Sequence, residues 1–417
     1  MNKTSSNDQV IAPNKKSLGM YLFFLGGQMV SLLGSTIVTF CIIWWITLET
    51  NSTFYLGLAS FMGFFPQLIL TPLAGVYIDR WNRKIVLILA DLLQAILILP
   101  LIYMFYTDLG SIWWVLIIMG FRGVFAAFHF PATQAIIPLL VPRSFLSRIN
   151  GTQFIINGFI FATGTLIAAV LLIFLRIDQI IWIDIITVVI ALIPLLLIKI
   201  PAVSLLKNRL KKEKSFFGEL NEGIKYIRRK DGLISLLLIF SAANLFITPI
   251  NRLLPVLILD FHFGNAQILA FLFVVIQVGG TTGGILMSIW KGFTKKVYGV
   301  ICGLTLMNLG VLIIITASSG LWLQISIGLF LVGFGLPIAN ASSTTIWQTI
   351  TPPELMGRVF SARRTIAQIT APFGILIAGA IAELLGMIPT FIIFGMLNIV
   401  VILFLWFKTN LSQVESS

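Results

Sequence analysis

Twelve stretches of this chain are apolar over lengths that suit only one environment: near 20–46, 54–78, 85–106, 112–138, 145–174, 179–199, 233–259, 266–290, 297–317, 321–349, 358–385 and 387–407. In a helix, about 20 residues rise ~30 Å, the thickness of a bilayer's hydrocarbon core. Every backbone group in hydrocarbon needs a partner inside the protein, so only helices and closed barrels cross it. The runs are continuous and do not alternate polar with apolar, which selects helices over barrel strands. With 58% hydrophobic and 10% charged residues, a soluble globule is excluded. The expected fold is an all-α membrane protein with twelve transmembrane helices.

The net charge of +13 is a matter of placement. Apart from Arg122, Arg176 and Arg252, the 28 Lys/Arg residues are read as falling at the N-terminus, in the even-to-odd turns or after the last span. This is the positive-inside bias, and it predicts a multi-pass protein of the cell membrane with both termini and the long central loop in the cytoplasm. It speaks against nucleic acid as a partner and for the lipid bilayer. Residues 1–17 are polar and the first apolar run is long enough to remain as a span, so no cleavable signal peptide is expected. Cys41 and Cys302 lie in different spans and read as small apolar filler. No phosphate-loop motif is present, and two histidines with three embedded acids offer no metal or nucleophile constellation. Neither a cofactor nor enzymatic activity is expected.

The chain is written twice. A shift of 210 residues carries Pro142 and Arg148, after the fourth span, onto Pro352 and Arg358, after the tenth; Gly75 falls within a residue of Gly284. Two six-helix halves, 1–199 and 233–417, joined by a linker at 200–232, are predicted, with a path between them near the midplane. Thr351 and Glu354 flank two prolines in the pattern of a capping box, which predicts a helix start there. In the linker, Phe216, Leu220, Ile224 and Ile227 recur at helical spacing opposite Lys225, Arg228 and Arg229, the pattern of a helix lying on the inner membrane surface.

Polar residues inside the spans fall into stripes. Gln28, Ser31, Ser35 and Thr39 share one face of span one; Arg122, His129 and Thr133 share one face of span four. Span seven carries Asn244, Thr248 and Asn251, and span ten carries Asn340 and Thr344. Such side chains avoid lipid, so either a watery cavity or interhelical hydrogen bonding accounts for them; the set as a whole favours the cavity. Asp91, Asp184 and Glu383 are the acids within spans. Asp91 is the first candidate to carry a proton and Asp184 the second, with a purely structural role for Asp91 left open. Arg122 is the deeply placed base and needs a counter-charge. His129 reads equally as a titrating group or a packing residue. Phe23, Phe40, Phe61, Phe64 and Phe65 are candidates for an aromatic wall, and Glu383 reads as solvated near an outer end.

The string GVYIDRWNRK at 75–84, between spans two and three, resembles the loop between helices two and three of the major facilitator superfamily of secondary transporters. The string around Phe217, Glu219, Glu222 and Gly223, with Phe128, His129, Pro131 and Ala132 and with Pro138 and Pro142, resembles the macrolide-efflux branch of that superfamily. The resemblance implies the facilitator fold, with spans one, four, seven and ten around a central cavity. It also implies a cytoplasmic gate in which Asp79 docks near the start of span eleven, with Gly75, Arg80, Arg83, Lys84, Arg148 and Arg358 around it. Arg80, Arg83 and Lys84 have the alternative role of fixing topology. Arg122 matches the family's helix-four arginine, which the resemblance implicates in proton coupling. Two departures stand out: Phe125 and Ala126 replace the usual glutamine and glycine after that arginine, and span five has Gly158 and Gly164 but no Gly-Pro pair. The implied activity is proton-coupled export of lipophilic, drug-like small molecules by alternating access, as a monomer. The alternative is a symporter or facilitator for a lipid, siderophore or small metabolite. Any uphill transport would draw on an ion gradient, worth about 2.3 kcal/mol per charge at 100 mV.

Overall fold

The computed structural model describes residues 15–78, 81–142, 145–198, 216–290, 292–352, 354–409, 411 and 414–415. Six long helices come first: α1 (Lys15–Thr50), α2 (Thr53–Ile78), α3 (Arg83–Tyr106), α4 (Ile112–Leu140), α5 (Leu146–Phe174) and α6 (Ile177–Leu197). A short helix, α7 (Phe216–Arg229), precedes the second series: α8 (Leu233–Phe246), α9 (Thr248–Val256), α10 (Ala266–Ile289), α11 (Lys296–Ile315), α12 (Trp322–Ile350), α13 (Met356–Leu385) and α14 (Met387–Lys408). Twelve segments are long and apolar enough to cross a membrane, with α8 and α9 forming one of them together with the turn to Phe261. Most ends fall within two or three residues of the predicted spans. The exception is α1, whose 36 residues reach about 54 Å, well beyond a hydrocarbon core.

Local chemistry sets several boundaries. Asn82 accepts a hydrogen bond from the Lys84 amide at 3.0 Å and starts α3, and Asn265 accepts from the Ile268 amide at 3.0 Å and starts α10. The seventh span is broken. Pro249, near the start of α9, has no N–H to give to the Leu245 carbonyl four residues back. Gly374 of α13 lies against that carbonyl, where any side chain would collide. The span then ends in a π-helical turn, Leu257–Phe261.

Two expectations fail here. The capping box at Thr351 does not form: its backbone N–H closes α12 on the Trp347 carbonyl at 3.1 Å, its hydroxyl is buried without a partner, and α13 starts only at Met356. The amphipathic helix α7 spends its apolar face on protein rather than on a membrane surface. Ile227 is buried, Gly223 packs on the Arg358 backbone of α13, and the Tyr226 hydroxyl donates to the Ile350 carbonyl at 2.7 Å. The missing side chain at Gly223 allows this approach.

The first six helices pack mainly as α1 on α5 and α6, α3 on α4 and α6, and α2 on α4. In the second series α12 holds α10 and α11, while α13 holds α8. The groups meet chiefly along α2–α13 and α5–α10. We call the end that carries α7 the linker end, and the opposite one, with the Thr50–Thr53 and Leu385–Met387 turns, the far end.

Candidate functional site

Between the two groups lies a cavity of about 1340 Å³. Its wall runs from Ile43, Ser60 and Pro255, about two turns short of the far end, to Gly75, Gln134, Thr344 and Arg364, so the space extends toward the linker end. Five residues of the polar stripes line it: Asn244, Thr248, Asn251, Asn340 and Thr344. The Asn244 amide donates to the Ala367 carbonyl at 2.9 Å, and the Asn251 carbonyl oxygen is buried without a partner. Of the five phenylalanines proposed for the wall, Phe64 alone is there. Phe61 and Phe65 stack with each other and pack edge-on against Phe373, Phe40 is buried against Phe273, and Phe23 is 51% exposed on the outside.

The lining also holds residues that the sequence reading passed over. Gln67, Gln134, Gln277 and Gln368 add amides, and Arg252, Arg363 and Arg364 add three cations. Arg363 and Arg364, which the positive-inside reading places among the turn charges, lie two turns inside α13. Counting helical turns from Met356 would have placed them. Arg363 donates to the Ser343 hydroxyl at 3.1 Å and lies over the rings of Phe240, Trp347 and Phe360. Arg364 lies over Phe130, across the boundary between the groups, at 5.4 Å. Arg252 makes no hydrogen bond or ion pair among the described residues, and no Asp or Glu is among the described lining residues.

The polar stripes of α1 and α4 take a different course from the one expected. Gln28, Ser31, Ser35, Arg122, His129 and Thr133 are not among the described lining residues. The stripes turn instead toward α3 and α6, which bring the acids. Arg122 pairs with Asp184 at 3.0 Å, and Asp184, 1% exposed, also accepts from the Ser35 hydroxyl at 2.6 Å. His129 Nε2 lies 3.2 Å from Asp91 Oδ1 and 2.9 Å from Gln28 Oε1, so one nitrogen serves both. The second Asp91 oxygen, Oδ2, is buried without a partner. Thr133 donates back to the His129 carbonyl at 3.0 Å, and Ser31 sits half-buried on α1. Burial of charge in this group is thus compensated pair by pair, as a low-dielectric interior requires.

At the far end Glu383 is more than a solvated acid. It accepts from the Ser52 hydroxyl at 2.9 Å, the Thr53 hydroxyl at 3.1 Å and the Phe54 amide at 3.4 Å, capping the first turn of α2 from the opposite group. Gly57 and Gly379 bring the α2 and α13 backbones together just beneath it. On α10, Gln267 donates to the Ala169 carbonyl of α5 at 2.8 Å.

At the linker end, Asp79 and Arg80 lie outside the described residues, as does the side chain of Arg148. Arg83 donates to the Ala135 carbonyl at 2.9 Å and Lys84 to the Leu196 and Ile198 carbonyls at 2.7 and 2.9 Å, so both hold onto their own group. Arg358 pairs with Glu222 of α7 at 3.1 Å. Gly75 and its counterpart Gly284 both face open space, so neither needs to be glycine in this conformation.

The chain matches the family model of the Major Facilitator Superfamily over residues 24–301 and 291–416. Macrolide efflux protein A of Streptococcus pyogenes is 31% identical over 380 residues, 89% of this chain and 92% of that protein. Macrolide efflux protein A of Enterococcus faecalis is 30% identical over 323 residues, 76% of this chain and 97% of that protein. Among solved structures, nucleoside transporter NupG superposes with a TM-score of 0.68 at 12% identity, over 94% of this chain and 98% of that one. A bacterial homologue of the iron transporter ferroportin, in an inward-facing state, superposes with a TM-score of 0.68 at 16% identity, over 93% and 98%. Those two share the fold and are too distant to say more. On the family match and the two efflux proteins, the chain belongs to the major facilitator superfamily.

Proposed function

We propose that this protein is a secondary active transporter of the cell membrane that exports lipophilic, drug-like molecules by alternating access, driven by protons. One observation carries the transport reading: a cavity of drug-sized or larger volume on the boundary between two six-helix groups, closed at one end by contacts between them. Lys/Arg placement assigns the linker end and both termini to the cytoplasm, which makes this conformation open to the inside. Export is taken from the efflux proteins that the chain resembles. The halves 1–199 and 233–417 would rock as units within a monomer.

For coupling we assign the Asp91–His129 pair. The two side chains meet in the interior of the first group, both are of types that exchange protons in other proteins, and Gln28 holds the shared nitrogen. Asp184 faces an arginine, which does not titrate, and we assign Arg122–Asp184 a structural role. The linker-end gate would be closed by Gly75 and Asp79 meeting α13 when the cavity collapses at that end.

The test is Asp91→Asn in inside-out vesicles. It should abolish extrusion driven by a pH gradient while leaving substrate counterflow intact. Unimpaired gradient-driven extrusion would remove Asp91 from coupling. Failure of wild-type vesicles to move any member of a panel of macrolides, dyes and nutrients would remove the transport reading itself.

A further inference from the structure

Resting on that transport reading, we propose that the cavity selects amphipathic organic anions, with Arg252 as the anchor for a carboxylate or sulfonate and the phenylalanines as the bed for its apolar body.

The argument begins with charge balance. Arg252, Arg363 and Arg364 all reach the cavity, and the described lining holds no acid to offset them. A charge within a membrane protein is costly unless it is paired or hydrated. Arg122 shows the usual solution, an ion pair at 3.0 Å. Arg363 is partly settled by hydroxyls and three rings, and Arg364 by the Gln368 amide and the ring of Phe130. Arg252 has neither: it is exposed to the cavity, with no partner among the described residues.

Its place in the fold adds to this. Arg252 projects from the second turn of α9, one turn past Ile247 and Thr248, which line the same wall. The flat fork of an arginine suits the two oxygens of a carboxylate or sulfonate. Elsewhere on the same wall, Phe64, Phe130, Phe161, Phe240, Phe273 and Phe360 provide aromatic surface, and the amides offer neutral donors and acceptors. A compact inorganic anion would leave that surface unused. A lipophilic cation would meet three like charges with no acid among the described lining residues to receive it.

The experiment uses two dyes built on one xanthene body, carboxyfluorescein as the anion and rhodamine 6G as the cation. Binding to the purified full-length protein is read by fluorescence polarisation, and movement in reconstituted vesicles by fluorescence. The anion should bind at least tenfold more tightly than the cation. Arg252→Gln should weaken it tenfold or more without weakening the cation, and Arg252→Lys should retain most of the affinity. Arg364→Gln provides an independent second variant, expected to weaken the anion to a smaller degree. Equal or preferred handling of rhodamine 6G by the wild type, or an anion affinity unchanged in both glutamine variants, would overturn the charge selection and leave the transporter intact. Chloride or inorganic phosphate competing as well as the organic dye would overturn the amphipathic part. If neither dye binds, the proposal is wrong, and the wider panel then decides whether transport itself survives.

Discussion

The two six-helix groups treat charge in opposite ways. In the first, each embedded charge has a partner: Arg122 with Asp184, and Asp91 with His129. In the second, Arg252, Arg363 and Arg364 look into the cavity with no acid among its described lining. A buried pair is neutral as a unit and fixes the helices that hold it. An unpaired cation on a wet wall is held in reserve for something that arrives later. On our reading the first group keeps the coupling and structural chemistry out of the substrate's reach, and the second presents binding charge to it.

The sharpest way to break this contrast is to treat the two kinds of arginine alike. Arg122→Ala strands Asp184 at 1% exposure, and removal of one partner from a buried pair costs about 3–5 kcal/mol. Thermal unfolding in detergent should drop accordingly, with the double variant Arg122→Gln, Asp184→Asn recovering much of the loss. A mild effect of Arg122→Ala would mean that the first group is not held by its pairs.

The contrast also assumes that the cations are reached from the linker end in this conformation, which state-shifting variants can check. Gly75→Val fits the open space seen here, so its cost falls on the conformation closed at the linker end, by about 1–3 kcal/mol if side chains meet there. A cysteine placed at Ser361, on the cavity wall, should then label more readily from the linker side. Unchanged labelling would remove Gly75 from the gate. Glu383→Gln acts in the opposite direction. Weakening the far-end cap by about 1 kcal/mol should raise labelling of a cysteine at Ser60 from the far side. Smallest of all is the stability change of Arg252→Gln. With no partner among the described residues to strand, its unfolding should stay within about 0.5 kcal/mol of wild type, even as anion binding falls.

The spans were legible because continuous apolar length leaves a membrane helix little freedom, and even the break in the seventh could have been inferred from Pro249. Helical faces were legible as well: Gln28 and Ser35, or Arg122 and His129, do share a face. What a face meets was not. The periodicity of α1 and α4 is the same whether the neighbour is water or the acids of α3 and α6, and only packing decides. Arg363 and Arg364 were missed because a count of basic residues near a turn ignores how far a helix has already entered the bilayer. Glu383 was missed for a related reason: its partners, Ser52 and Thr53, lie more than 300 residues earlier in the chain. The Thr351 motif was read in the wrong direction, since a threonine can close the helix before it as readily as open the one after.

The close approach of Gly57 to Gly379 has a mechanical consequence. Where two helices touch through their main chains, no rotamer can swing aside to let water past, so that end cannot loosen gradually. It must either stay shut or part as two stiff rods, with the mid-helix contacts as the pivot. On the proposed rocking motion, a rod pivoted at mid-length carries a displacement near Glu383 to the opposite rim at about the same size and in the opposite sense, tying the two mouths of the passage to a single motion.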